Sequence, residues 1–126
     1  MDIDKVHEAH EFGEFAETKA SEEYVKNGYA ILERRWRMGK IEIDIIAQTE
    51  NTIVFIEVKA RSGRDLDPLE SITHDKKLRM VRAADSYIRR LQGNYDYRFD
   101  FVTITGNKDT FSLEVLKDAF LAADIF

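Results

Sequence analysis

The sequence predicts a mixed α/β fold, in which helices pack on a central β-sheet, with the element order αβββαββα. Segments whose apolar residues recur every three or four positions, typical of helices, are separated by segments that alternate or run continuously apolar, typical of strands. The length of 126 residues fits a single domain, 1–126, that is large enough to bury a core. A 44% hydrophobic content excludes a disordered chain, and the lack of cysteine excludes a disulfide scaffold or thiolate metal site.

The first four predicted elements are a helix and three strands. A helix is predicted from Asp4 to Asn27, followed by Gly28 as a stop signal. Its apolar positions, in order, are Ala9, Phe12, Ala16, Ala20 and Tyr24. The strands are predicted over 29–37, 40–47 and 52–60. Residues 40–47 alternate between isoleucines and acids, which predicts a half-buried strand. Residues 52–60 are nearly all apolar, which favours a central strand covered on both faces.

The second half of the chain is predicted to return to the sheet through a long helix. Ser71 or Thr73 can cap this helix, and its apolar stripe runs to about Leu91. The remaining predicted elements are, in order, a loop over 61–70 before that helix, a strand over 97–104, a hairpin turn over 106–109, a strand over 111–116, and a short helix from Lys117 to Phe126.

The net charge of −5 is distributed unevenly. Residues 1–30 hold eight acidic and three basic side chains, whereas residues 31–126 hold sixteen of each. Two segments, 34–40 and 59–90, are locally basic, and nucleic-acid binding depends on such patches more than on total charge. A solvated surface with ion pairs explains the same runs. The acidic N-terminus and the lack of a long apolar run predict a cytoplasmic protein that makes no membrane contact.

Two predicted strands carry polar side chains that can meet. Glu42 and Asp44 are two residues apart, as are Glu57, Lys59 and Arg61, so each set shares one face of its strand. The short connection makes these strands antiparallel neighbours. A two-residue turn at 50–51 places Asp44 opposite Glu57, and a four-residue loop places it diagonal to Glu57. In either register the two acids point to the same side.

Two carboxylates so close repel each other unless a cation lies between them. Oxygen ligands without cysteine favour a hard ion, Mg²⁺ or Mn²⁺. Lys59 on the same face adds a cation that can stabilise a phosphorane-like transition state or help to position water. A hairpin with cross-strand ion pairs and no function fits the same spacing.

The spacing from Asp44 to Glu57-Val58-Lys59 resembles the PD-(D/E)xK restriction-endonuclease-like superfamily, and the helix and strand order is similar to its αβββαβ core. More closely, the chain resembles the YraN family, also called UPF0102, of predicted endonucleases related to Holliday junction resolvases. One departure is Ile41, where that family has glycine. The segments that carry the resemblance are 13–16, 27–29, 42–47, 54–61, Pro68, Lys76, 83–84, 98–102 and 118–120.

The resemblance implies roles for the acids and the lysine. Asp44 and Glu57 would bind the metal, with the Val58 carbonyl as a third oxygen, and Lys59 would be the catalytic lysine. Glu14 resembles an acid on the first helix that joins the metal shell in resolvase-like proteins. A solvated helix residue explains Glu14 equally well.

The resemblance also implies contacts with the substrate. Arg61 and Lys76 would bind phosphates, although surface ion pairs explain both residues. The predicted function is a Mg²⁺- or Mn²⁺-dependent endonuclease that hydrolyses phosphodiester bonds in DNA, with branched DNA as one form, by attack of a metal-activated water. A homodimer follows from the two-fold symmetry of a junction. An inactive nucleic-acid-binding module and a protein-interaction domain remain alternatives.

Overall fold

A computed structural model describes residues 3–63 and 72–122, which form five strands and two helices. The elements are α1 (Ile3–Lys26), β1 (Ala30–Met38), β2 (Ile41–Thr49), β3 (Thr52–Arg61), α2 (His74–Arg90), β4 (Asp96–Gly106) and β5 (Phe111–Leu116). The strands form one sheet in the order β1-β2-β3-β4-β5. Only β3 and β4 are parallel within it, because α2 forms the crossover between them. The predicted mixed α/β fold with an αβββαβ core is confirmed.

The two helices cover opposite faces of the sheet. Ala16, Ala20 and Tyr24 of α1 pack on one face, in a cluster with buried residues of β2, β3 and β4. Met80, Ala83 and other buried residues of α2 pack on the other face, around Phe55 and Phe99. Central strand β3 is therefore buried on both faces, as its continuous apolar sequence predicts. In the described ranges, neither helix is both long and apolar enough to cross a membrane.

A buried polar network fixes α1, and Tyr29 in the turn that follows it, to the sheet. Asp100 of β4 is 1% exposed and accepts a 2.6 Å hydrogen bond from the Tyr24 hydroxyl. Arg98 donates two hydrogen bonds to Asp100, at 2.8 and 2.9 Å, and a third to the Tyr29 hydroxyl at 2.8 Å. The buried carboxylate is thus paired and hydrogen-bonded, which a charge inside a core requires. The predicted pairing of Arg98 with Asp100 is observed.

The predicted elements agree with the structure except at the end of the chain. Thr73 caps α2 by accepting from the Lys76 N–H at 3.1 Å, whereas Ser71 and most of the predicted 61–70 loop, including Pro68, lie outside the described residues. The predicted helix from Lys117 is wrong over 117–121, and residues 123–126 are outside the described ranges. Asp118 has a positive φ of 54°, and the Ala119 N–H donates to the Phe99 carbonyl. This backbone therefore hydrogen-bonds to β4 and does not form a helix.

Candidate metal-binding cleft

The hairpin that carries the two predicted acids has the shorter of the two predicted loops. Thr49 is opposite Thr52, so Glu50 and Asn51 form a two-residue turn, and the ladder continues to Ile45 opposite Ile56. Glu50 adopts a φ of +50°, which tight hairpin turns require. Continuing this register by one residue places Asp44 beside Glu57.

The two strands separate immediately beyond that ladder. Before Ile45, β2 is paired only with β1, and after Ile56, β3 is paired only with β4. The inward-outward alternation of β2 also breaks here, because Ile43 packs on the α2 side of the sheet and Ile45 on the α1 side. Asp44 lies at this break. Its carboxylate Oδ2 accepts a 2.8 Å hydrogen bond from the Val58 N–H and so bridges the gap between the strands.

Asp44 and Glu57 form an acid pair within the cleft. Glu57 is 8% exposed, on the α2 side of β3. Burial, which has the larger effect, and the negative charge of Glu57 together raise the pKa of Asp44 from 3.8 to about 8. The Val58 N–H opposes this rise because it favours the carboxylate form. The fold thus holds two acids close enough to repel each other, as the sequence pattern predicts.

Helix α2 supplies a cation to this pair. The Lys76 Nζ lies 2.5 Å from the Glu57 Oε1, and both side chains are largely shielded from water. The sequence predicts a phosphate contact for Lys76, with an ion pair as the alternative, and in the described structure its ammonium group pairs with Glu57. Lys76 also lowers the pKa of Asp44, but by less than Glu57 raises it.

Two pockets open on either side of the acid pair. The α2-side pocket, of about 330 Å³, contains Asp44, Glu57 and Lys76. The α1-side pocket, of about 460 Å³, contains Asp44, Glu14 and residues of β1 and β3. Both are also lined by Glu42. Asp44 is therefore accessible from both faces of the sheet where β2 and β3 part.

Two residues of the α1-side pocket, Glu17 and Arg35, are not predicted from the sequence. Glu14 pairs with His10 at 3.0 Å and more loosely with Arg35 at 3.7 Å, and its side chain is 49% exposed. Glu17, one helical turn further, is 13% exposed, pairs with Arg35 at 2.9 Å, and also raises the pKa of Asp44. Arg35 has a φ of +53°, a conformation that costs a non-glycine residue about 1–3 kcal/mol. Glu14 and Glu17 are three residues apart, so they share one face of α1. This spacing is the sequence signal that both acids face β1.

The structure does not bring Lys59 and Arg61 into either pocket. Lys59 is exposed, lines neither pocket, and forms no ion pair within the described residues. The Arg61 Nε is buried without a hydrogen-bond partner. Val58 lines the α1-side pocket, where its N–H contacts Asp44. The predicted catalytic role of Lys59 and metal role of the Val58 carbonyl stay predictions.

The donor set fits a loosely held hard cation. Across residues 3–63 and 72–122, no group of three or more acidic or histidine side chains is arranged to hold a metal ion. Mg²⁺, however, keeps several waters and is commonly bound through only one or two carboxylates together with substrate phosphates. Asp44 and Glu57 supply two such carboxylates, and a cation bound by both would relieve their mutual repulsion.

Sequence comparisons place this cleft in a family. The profile described as "Uncharacterised protein family UPF0102" matches residues 16–104, which include both acids of the cleft. A UPF0102 protein of Bacteroides thetaiotaomicron is 39% identical over 114 residues, which cover 90% of this chain and 94% of the relative. A UPF0102 protein of Phocaeicola vulgatus is 36% identical over 114 residues, which cover 90% of this chain and 94% of the relative. A UPF0102 protein of Flavobacterium johnsoniae is 37% identical over 118 residues, which cover 90% of this chain and 96% of the relative. The predicted family is confirmed, and this chain belongs to UPF0102.

Proposed function

We propose that this protein is a Mg²⁺- or Mn²⁺-dependent endonuclease that hydrolyses phosphodiester bonds in DNA, with branched DNA among its substrates. The observation that carries the proposal is the acid pair where β2 and β3 separate. Burial and Glu57 together raise the pKa of Asp44 to about 8, so the fold maintains a repulsive pair that packing alone does not need. Strongly perturbed acids in a cleft are typical of functional sites.

The residues of the cleft have different roles in the proposed reaction. Asp44 and Glu57 would hold the cation, while the Val58 N–H keeps the Asp44 carboxylate aimed across the gap between the strands. A bound divalent cation would act as a Lewis acid that activates water and neutralises charge on the phosphate. Lys59, two residues beyond Glu57 and exposed, is free to approach the substrate phosphate.

Lys76 is placed to substitute for the cation when none is bound. Its ammonium group compensates Glu57 and so reduces the cost of burying that carboxylate. A cation held by Asp44 and Glu57 would supply the positive charge that Lys76 supplies here. Asp44 must lose its proton for the cation to bind, so binding releases protons.

A nuclease assay tests the proposal. Purified protein is incubated with linear, nicked and four-way junction DNA in Mg²⁺ or Mn²⁺, alongside Asp44→Asn, Glu57→Gln and Lys59→Ala. Glu22→Gln, an exposed acid on α1, is the matched control. We expect cleavage by the parent and the control, and a loss of about 100-fold or more in each site variant, which is the scale on which removing one electrostatic stabiliser of a transition state lowers kcat.

Each other result points to a different function. Cleavage that survives in Glu57→Gln contradicts the assignment of the acid pair. Salt-dependent DNA binding without cleavage supports the inactive nucleic-acid-binding module. Absence of both supports a protein-interaction domain. The homodimer stays a prediction, which sedimentation of the parent protein would test.

Metal binding can be measured separately from cleavage. Titration calorimetry with Mn²⁺ should show weak binding by the parent protein and none by Asp44→Asn, because the substitution removes one of the two carboxylates of the acid pair. Glu22→Gln should bind as the parent does. Equal affinity in the parent and in Asp44→Asn would exclude the acid pair as the binding site.

A further inference from the structure

The two helices on opposite faces of the sheet carry opposite charges. Helix α1 contains seven acidic and three basic side chains, a net charge of −4. Helix α2 contains six basic and two acidic side chains, a net charge of +4. The overall charge of −5 therefore hides one anionic and one cationic helix, which give the two faces of the sheet coverings of opposite charge. A polyanion is drawn to the α2 face and repelled from the α1 face.

The α2-side pocket joins this cationic face to the acid pair. It is lined by three cations and three acids, Lys40, Lys76, Arg79, Glu42, Asp44 and Glu57. Lys76 is already paired, because its ammonium group contacts Glu57. Glu42 is also paired, with Arg37 at 3.3 Å. Of the three pocket cations, Lys40 and Arg79 are therefore outside these pairs.

Those two cations, Lys40 and Arg79, have no acidic partner among the described residues. Lys40 follows Gly39 in the turn between β1 and β2, and Arg79 lies one turn into α2; both are exposed. The one hydrogen bond of the Arg79 side chain is a long 3.4 Å contact to the Asp75 carbonyl of its own helix. Lys40 and Arg79 thus border the acid pair with their charges unneutralised.

The α1-side pocket has no equivalent cations. Its two arginines are both neutralised, Arg35 by Glu17 at 2.9 Å and Arg37 by Glu42 at 3.3 Å. Glu14, which is 49% exposed, adds a further carboxylate to the same pocket. A phosphate that approached from this side would meet carboxylates first, which costs electrostatic free energy.

We propose that the DNA backbone enters the cleft from the α2 face, and that Lys40 and Arg79 contact the phosphates flanking the one at the acid pair. This inference rests on the proposed function, since it takes DNA as the ligand. Arg79 offers the planar fork that suits a phosphate, and Lys40 a compact charge. The acidic helix α1 faces away from the bound strand.

Binding of a short fluorescein-labelled DNA duplex, followed by fluorescence anisotropy over a series of salt concentrations, tests the inference. EDTA is present throughout, so neither cleavage nor a metal ion contributes. Lys40→Ala and Arg79→Ala should each weaken binding and lower the slope of log affinity against log salt by about one, because one phosphate contact is lost. The double variant should lower this slope by about two.

Arg89→Ala is the matched control. Arg89 lies on the same helix, carries the same charge and is paired with Asp85 at 3.0 Å, three turns from Arg79. Its slope should equal that of the parent. A parent protein that does not bind the duplex, unchanged slopes in Lys40→Ala and Arg79→Ala, or an equal loss in Arg89→Ala would each overturn the inference.

The two proposals fail in different ways. If the parent cleaves DNA while Lys40→Ala and Arg79→Ala bind it normally, the nuclease stands and the α2-face path is wrong. If the slopes fall as expected but the parent cleaves no DNA with Mg²⁺ or Mn²⁺, the α2-face path stands and the nuclease is wrong.

Discussion

Replacing Asp44 by asparagine should stabilise the metal-free protein, and more so as the pH rises. Asp44 keeps its proton up to about pH 8 in the folded chain, compared with 3.8 as its ordinary value. Between these values the folded state binds more protons than the unfolded state. The ionisation of Asp44 therefore costs no free energy of unfolding below pH 3.8, and it lowers that free energy progressively as the pH rises to about 8. Asparagine does not ionise and avoids this loss.

The size of the effect follows from the same rise in pKa. Each pKa unit corresponds to about 1.4 kcal/mol, so the rise to about 8 limits the gain to about 6 kcal/mol above that pH. We expect about 3 kcal/mol, because the cleft is open to water, which screens the charge. Asparagine retains an oxygen that can accept from the Val58 N–H, so this hydrogen bond is not lost.

Urea unfolding in EDTA, followed by the fluorescence of the single tryptophan, Trp36, measures this difference. The free energies of the parent and Asp44→Asn should coincide near pH 4 and diverge up to about pH 8, where the curves become parallel. Glu42→Gln makes the same chemical change two residues away at an exposed position, and its difference from the parent should be small at every pH. A pH-independent difference, or a less stable Asp44→Asn at high pH, would refute the reasoning.

Three further predictions concern metal binding and stability. Mn²⁺ affinity should rise with pH and level off near pH 8, because Asp44 must release its proton to bind the ion. Calorimetry at constant ionic strength measures this affinity, and an affinity that does not change with pH would contradict the prediction. Tyr24→Phe should lower the free energy of urea unfolding by about 1–3 kcal/mol, because the buried Asp100 loses a 2.6 Å hydrogen bond, and an unchanged value would mean that water replaces it. Thr73→Ala should cost about 1 kcal/mol in thermal unfolding because the Lys76 N–H loses its cap, whereas Thr73→Ser should cost almost nothing.

Much of the fold and part of the site could be predicted from local sequence patterns. Periodicity located both helices and all five strands, since burial on one or two faces leaves a repeat of known length. The turn at Glu50 limited the hairpin to two registers, and both put Asp44 and Glu57 on one side. The choice between the registers depends on the positive φ of Glu50, which composition did not reveal.

The remainder of the site depends on contacts between distant segments. The pairing of Lys76 with Glu57 joins a helix to a strand nineteen residues away, and spacing cannot predict such a contact. Glu17 and Glu14 lie on the same face of α1, and only the docked helix shows that Glu17 is the better buried. The helix predicted from Lys117 failed because hydrogen bonds to β4 outweighed local helical propensity.

The hydrogen bond from Val58 to Asp44 also gives the protein an internal reporter. A backbone amide that donates to a carboxylate changes its NMR chemical shift when that carboxylate gains a proton or binds an ion. The Val58 resonance of ¹⁵N-labelled protein should therefore follow both events at a single atom, without an attached probe and without any turnover. Its titration curve would give the occupancy of the cleft even for a variant that cleaves nothing.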